Sequence, residues 1–319
     1  MDVDQVCLRL RSLLEESVER NPAEGILLSG GLDTSIVATL ASRFGELKAF
    51  TVAFEEAPSP DVEYARQMAE RLGLEHTVHS LSMTELESEL PTVIRVLKTF
   101  DPMEVRNSVV ILVGLKAARK AGVKTVLTGD GADELFAGYS FLFNYSEEEL
   151  ERELRKIWEN IRFSSIDLAA HLRMQVRLPY LDEDFQSFAK GIDPSLKVRR
   201  ENGRRVGKWI LRKAFEGILP HSIVWRVKTP IEQGSGTSHL PLLFDELISD
   251  EEFEEKKRKV LERDHVEIRD KEHLVYYEIY RSEIGVPSPE NPEGKICPKC
   301  NSNVQDKATY CRVCGAYPI

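Results

Sequence analysis

What this sequence lacks narrows its function first. No apolar run approaches the roughly 20 residues a bilayer crossing needs, so no membrane partner is expected. The opening MDVDQVCLRL has no apolar signal core, which makes the cytoplasm the expected compartment. Positive charge is short: 43 Lys and Arg stand against 53 Asp and Glu, a net charge of −10. That disfavours bulk nucleic-acid binding, which needs a basic face. Cysteine is scarce outside the tail. Four of the five form two CxxC pairs near the C-terminus and Cys7 stands alone. A distributed disulfide framework is therefore excluded, and the spacing is that of a metal site in a reducing compartment. His76, His79, His171, His221 and His239 do not pair at metal spacing and read as structural or solvent-facing. There is no internal repeat, no GxGxxG and no Walker GK[ST].

What is present is a chain of 319 residues, 42% apolar, long enough for one large domain or two smaller ones. Its first part alternates strand and helix. GILLS (25–29), KAFTVAF (48–54), EHTVHSL (75–81) and VKTVLTG (123–129) read as strands. Helical patterns cover DTSIVATLASRF, DVEYARQMAERLG, 84–98 and 107–121. Such alternation predicts an α/β fold, a parallel sheet covered on both faces. After Tyr139 the strand signal fades, and 146–190, 204–217, 251–264 and 270–283 read as helices. The Gly/Ser-rich stretch GSGTSHL (234–240) predicts a mobile segment. The expected organisation is an N-terminal helix (1–22), a main domain (23–245), C-terminal helices (246–285), a Pro-rich linker (286–295) and a small tail module (296–319).

Two Gly-rich turns carry the chemistry. ILLSGGLDTS (26–35) sits where a buried strand hands over to a helix. Ser29, Gly30 and Gly31 expose backbone N–H groups at a helix N-terminus, and Ser29 and Ser35 add hydroxyls. That is an anion site suited to phosphate, although Ser, Asp and Thr also cap ordinary helices. The second turn, TGDGADELFAGY (128–139), concentrates Asp130, Asp133 and Glu134 in an already acidic chain. Pyrophosphate beside such acids requires a metal, and Mg2+ typically takes one or two carboxylates plus phosphate oxygens.

The word SGGLDTS resembles SGGxDS, the pyrophosphate loop of the N-type ATP pyrophosphatases, with Thr34 where many members have Ser. TGDGADELFAGY resembles G(E/D)GxDExFxGY of the asparagine synthetase family. TVAFEEAPSPDVEYARQMAERLG, VRLPYLDEDF and GKWILRKAFEGILPHSIVWRVK resemble further segments of that family, in family order, over roughly residues 20–245. The resemblance implies the five-stranded parallel sheet of the adenine nucleotide α-hydrolase (HUP-like) fold, with a helical C-terminal half. It implies ATP contacts from Leu28, Ser29, Gly30, Gly31, Asp33, Thr34, Ser35, Val52, Thr128 and Gly129, and Mg2+ at Asp33 and Asp133. Lys228 matches the family's catalytic lysine, with Lys208 a second candidate. Asp130 falls where many asparagine synthetases have Glu and is expected to orient or deprotonate the incoming amine. FDPMEVRNS (100–108) resembles the family's Y-D-x-T-T-I-R-A-S, which implies that Arg106 and Ser108 hold a substrate carboxylate. Met103 and Glu104 depart from that pattern.

Cys297, Cys300, Cys311 and Cys314 form a zinc-ribbon pattern; four thiolates leave no open position, so a zinc there is structural. A ribbon of this kind can dock a protein or RNA partner. Family members that use glutamine begin with a glutaminase domain, whereas this sequence starts near the synthetase part. Free ammonia, a separate glutaminase or another amine is thus the expected nucleophile source. The leading expectation is an ATP-dependent, AMP-forming ligase that adenylates aspartate or a similar carboxylate. The rivals are a tRNA-modifying enzyme of the thiolation type and a non-catalytic nucleotide-binding protein.

Overall fold

The computed structural model describes residues 1–201 and 203–319. The central sheet has five strands: β1 (Gly25–Leu27), β2 (Lys48–Phe54), β3 (Glu75–Leu81), β4 (Thr125–Leu127) and β5 (Gln175–Arg177). Their spatial order is β3-β2-β1-β4-β5, and β1 pairs in parallel with both β2 and β4. The chain thus winds outward from β1 in one direction and then restarts at β4 in the other. Open α/β sheets bind ligands beyond the strand carboxyl ends at such a reversal. A two-stranded antiparallel hairpin follows, β6 (Arg199–Glu201) and β7 (Arg204–Val206).

Strands β2 and β3 coincide with the stretches expected from sequence. The fifth strand does not: 146–190 was expected to be helical throughout. Instead the helix Ser164–His171 ends, Arg173 takes a positive φ of 56°, and β5 adds in parallel to β4. Three residues are too few to show a period, so only the ladder identifies them. Residues 234–240 also differ from expectation. Ser235 and Thr237 are buried, and Ser59 Oγ donates to the Ser235 carbonyl at 2.6 Å. The small residues there permit close packing rather than motion.

The chain divides into two compact units. The first comprises Met1–Thr51, Pro60–His79 and Gly114–Pro230. Its helix Val3–Arg20 starts with a capping box between Asp2 and Gln5 and buries Leu10, Leu13 and Leu14. Those positions share one helical face, and the helix packs against the helix Trp209–Phe215. The second unit comprises Val52–Ser59, Ser80–Val113 and Ile231–Ile319. Here the helix Lys271–Glu283 packs against the helix Met83–Leu97. Among the described residues no helix is long and apolar enough to cross a membrane.

Candidate active site

Both Gly-rich turns lie beyond the carboxyl ends of β1 and β4. Gly30 has φ +66°, and a Cβ there would sit 2.3 Å from the Ala65 nitrogen, so the helix Asp61–Leu72 leaves room only for glycine. The Gly31 N–H donates to Ser29 Oγ at 3.2 Å, and the Ser29 and Thr34 hydroxyls are 3.1 Å apart. Thr34 therefore supplies the hydroxyl that shapes the loop. Ser35 is fully buried, and its Oγ has no partner. Leu28 has its backbone engaged: its N–H donates to Phe50 and its carbonyl accepts from Thr51. A Cβ on Gly129 would lie 3.0 Å from Asp33 Cβ and 3.1 Å from Thr34 Cγ2. The two turns touch at that point.

Where they touch, two lysines meet two acids. Lys208 heads the helix Trp209–Phe215 at a positive φ of 56°, a conformation that costs a non-glycine residue about 1–3 kcal/mol. Its side chain is 3% exposed. Nζ donates to Asp33 Oδ2 at 2.6 Å and lies 2.7 Å from Asp133 Oδ1, an ion pair without hydrogen-bond alignment. Lys228 Nζ donates to Asp133 Oδ2 at 2.5 Å. Burial opposes ionisation of Asp133, but the two lysines outweigh it and hold the carboxyl at about 2. Asp33 Oδ1 is buried without a donor. Two lysine-paired carboxylates, one with a buried oxygen that lacks a donor, fit the donor set of a hard divalent cation. Gly138 closes the wall: a Cβ there would meet Asp133 Oδ1 at 1.8 Å and Lys208 Cε at 2.4 Å.

The other acids of the second turn do different work. Asp130 Oδ2 accepts from Thr128 Oγ1 at 2.9 Å and from Ser165 Oγ at 2.5 Å. Burial raises its carboxyl above the ordinary range, and the two hydroxyls only partly offset that. Glu134 lies in the helix Ala132–Phe136 and accepts from Tyr139 OH at 2.5 Å. Burial raises Glu134 too.

Three positioning residues carried no assigned role in the sequence. Arg226 forms an ion pair with Asp61 at 2.6 Å, donates to the Ser29 carbonyl at 3.3 Å and stacks 3.9 Å from the Tyr64 ring centroid. Arg212, buried, donates to the carbonyls of Gly207, Val224 and Arg226. It joins the segment before Lys208 to the segment before Lys228. Tyr180 OH donates to the Asp33 carbonyl at 3.1 Å. All three sit in motif segments; the partners of Arg226 and Tyr180 lie too far along the chain for spacing to reveal.

In the second unit, Val52 is buried, and Arg106 and Ser108 lie on the helix Pro102–Lys120. Arg106 Nη1 is 3.4 Å from Glu272 Oε2, and Arg106 Nε is buried without a partner. Tyr276 OH donates to Glu272 at 2.9 Å. Burial pushes Glu272 up to about 7, against the pull of Arg106 and Tyr276. Ser108 Oγ donates to Glu104 at 3.3 Å. Nothing in the sequence flagged Glu272.

The four tail cysteines are buried free thiols whose sulfurs lie within 4.8 Å of one another. Cys297 and Cys314 are 3.8 Å apart, Cys300 and Cys311 3.7 Å. A tetrahedron with zinc–sulfur bonds of about 2.3 Å has edges of about 3.8 Å. The residues present fit the metal. The preceding stretch is tied to the ribbon: Asn291 N–H donates to Asn303, and Lys295 Nζ donates to the Ala308 carbonyl.

The family model described as asparagine synthase matches residues 9–171 and 162–275. A probable glutamine-hydrolysing asparagine synthetase of Dictyostelium discoideum is 33% identical over 73% of this chain and 47% of its own length. A counterpart in Schizosaccharomyces pombe is 36% identical over 78% of this chain and 51% of its own. The chain thus spans about half the length of these relatives. Among solved structures, an NMN synthetase from Francisella tularensis is similar at 18% identity, covering 91% of this chain and all of its own, with a TM-score of 0.35. On the family model and these sequence identities, the chain belongs to the asparagine synthase family.

Proposed function

We propose that the protein is an ATP-dependent ligase that adenylates a carboxylate, releases pyrophosphate and passes the acyl group to ammonia or an amine. The observation that carries this reading is the placement of Lys208 between Asp33 and Asp133 where the two turns touch. The Gly30–Gly31 backbone and the Ser29 and Thr34 hydroxyls would bind the polyphosphate. Asp33 and Asp133 would hold Mg2+, which supplies counter-charge to the phosphates when bound. Lys228, whose side chain is 35% exposed, would turn from Asp133 toward the departing pyrophosphate. Asp130, half-buried and held by two hydroxyls, would orient the nucleophile or take its proton.

By the same resemblance, Arg106 and Ser108 bind the acyl substrate, with aspartate the first candidate. Arg106 already faces Glu272, so a substrate carboxylate must displace or share that partner. Ammonia would arrive free or from a glutaminase, whether separate or fused. The ribbon cysteines would hold a structural zinc. Thiolate-based sulfur transfer is disfavoured: Cys7, the cysteine outside the tail, is buried and its thiol is raised by burial. The test is a product assay with aspartate and ammonia. Formation of AMP and pyrophosphate, dependent on both, is expected; ADP instead of AMP overturns the reading.

A further inference from the structure

The four-cysteine tail reads from sequence as a module free to dock a partner. We propose instead that it is a brace that sets the start of the helix carrying Arg106 and Ser108. This rests on the reading that those two residues meet the acyl substrate.

The contacts are specific and consume both knuckles. Cys311–Cys314 holds the segment Thr99–Asp101. The Phe100 N–H donates to the Val313 carbonyl at 2.8 Å. Thr99 Oγ1 donates to the carbonyls of Arg312 and Val313, at 2.7 and 3.2 Å. Tyr310 OH donates to Asp101 Oδ2. Arg269 donates to the carbonyls of Gly315 and Cys314, at 2.7 and 3.1 Å, and lies 3.8 Å from Asp101 Oδ1. Gly315 has φ +72°, and a Cβ there would sit 2.1 Å from Asp101 Oδ1. The positive φ favours glycine, and any side chain there must push the Asp101 carboxyl aside. Between these contacts Phe100 is fully buried, with ring centroids of His273, Tyr277 and Tyr280 at 5.0 to 5.2 Å. The other knuckle, Cys297–Cys300, holds the segment before Arg269. The Glu267 N–H donates to the Lys299 carbonyl at 2.9 Å, and Asn301 Nδ2 donates to the His265 carbonyl at 3.2 Å.

The consequence runs through Asp101. Its carbonyl accepts from the Val105 N–H at 2.9 Å, which closes the first turn of the helix. Its carboxylate is held by Tyr310 and Arg269, and its neighbour Phe100 is pinned by Val313. Arg106 follows one residue after that turn. A module this short gains most of its folding energy from metal, so a filled site fixes the knuckle, the knuckle fixes Thr99–Asp101, and that segment sets the axis on which Arg106 projects. The carbonyls of Lys299, Arg312, Val313, Cys314 and Gly315 are thereby engaged within the chain.

The test uses the full chain and two variants that spare the cysteines. Gly315→Val forces the knuckle off Asp101, and Tyr310→Phe removes one hydrogen bond in case the first variant fails to fold. Bound zinc is measured in each. With zinc retained, the expected result is faster amide hydrogen exchange confined to residues 99–107, a rise of tenfold or more in KM for the acyl substrate in Gly315→Val, and a KM for ATP within twofold of the parent. Tyr310→Phe should move in the same direction by a smaller factor. Stripping zinc from the parent chain with a chelator should give the same local rise in exchange. Unchanged exchange at 99–107 in the folded variants overturns the brace, as does an equal rise in both KM values. Should the parent release no pyrophosphate with any carboxylate, the ligase reading fails, while the exchange measurement still decides whether the ribbon braces the helix.

Discussion

Arg226 and Asp61 meet as an ion pair of 2.6 Å although 165 positions separate them, and Arg226 also holds the Ser29 carbonyl. One guanidinium thereby ties the start of the first glycine turn to the segment that carries Lys228. Both side chains are largely buried, so the pair is not a screened surface bridge.

Removing one partner leaves the other charge buried and alone, at a cost of about 3–5 kcal/mol. Asp61→Asn should therefore lower Tm by several degrees, read by calorimetry. Arg226→Lys keeps the charge but cannot span Asp61 and Ser29 together. Its expected signature is a roughly tenfold rise in KM for ATP, or ~1.4 kcal/mol of binding, with a smaller stability loss than Asp61→Asn. An unchanged KM for ATP would show that the loop does not need this tie.

Gly138→Ala tests the wall of the site. The added methyl would overlap Asp133 Oδ1 at 1.8 Å and press on Lys208 Cε at 2.4 Å. Asp133 must swing out or Lys208 must leave both acids. The expected outcome is a loss of about 100-fold or more in kcat, with circular dichroism and the thermal transition showing a folded chain. Activity within threefold of the parent would remove Asp133 and Lys208 from the chemistry.

How much of this was legible in the sequence follows from the range of each interaction. KAFTVAF and EHTVHSL are seven-residue strands and carry enough apolar signal to be read end to end. Gln175–Arg177 carries almost none, since only pairing with β4 makes those residues a strand. The two glycine turns were legible as short contiguous motifs, although the contacts that demand glycine, Gly30 on Ala65 and Gly129 on Asp33, are made by the fold. Asp61 with Arg226, Ser165 with Asp130 and Glu272 with Arg106 were not, because each pair is made by the fold across a long stretch of chain. The cysteine spacing predicted the four-sulfur cluster, yet said nothing of the Thr99–Asp101 segment against which the ribbon lies.

Ser165 offers a pH test of Asp130. Its hydroxyl donates to the carboxylate at 2.5 Å and so favours the ionised form against burial. Ser165→Ala removes that support, and the Asp130 pKa must rise further. If the ionised form does the work, the acid limb of the kcat/KM profile moves to higher pH in Ser165→Ala and returns in Ser165→Thr. Asp130→Asn should cost about 100-fold or more on the pH plateau, with the deficit shrinking down the acid limb, where the parent's own carboxyl is protonated. A profile with no shift in Ser165→Ala would make Asp130 a structural residue of the turn.

Glu272 predicts a pH dependence of stability in the second unit. Burial raises its folded-state carboxyl from 4.5 to about 7, although Arg106 and Tyr276 pull it down. The folded state therefore binds the proton more tightly than the unfolded chain does. The stability this contributes is fully present below about 4.5 and is lost as pH rises through about 7. The shift corresponds to an order-of-magnitude loss of about 3 kcal/mol across that window. Glu272→Gln cannot ionise, keeps an acceptor for Tyr276 and removes the slope. Denaturant midpoints at pH 5 and pH 8 should differ less in the variant than in the parent, with the gap closing by the amount Glu272 carries. The Arg106 guanidinium, freed from its partner in Glu272→Gln, should also lower KM for an acyl substrate that offers a carboxylate. A variant with the parent's pH slope and the parent's KM would show that Glu272 stays ionised and that Arg106 does not meet the substrate.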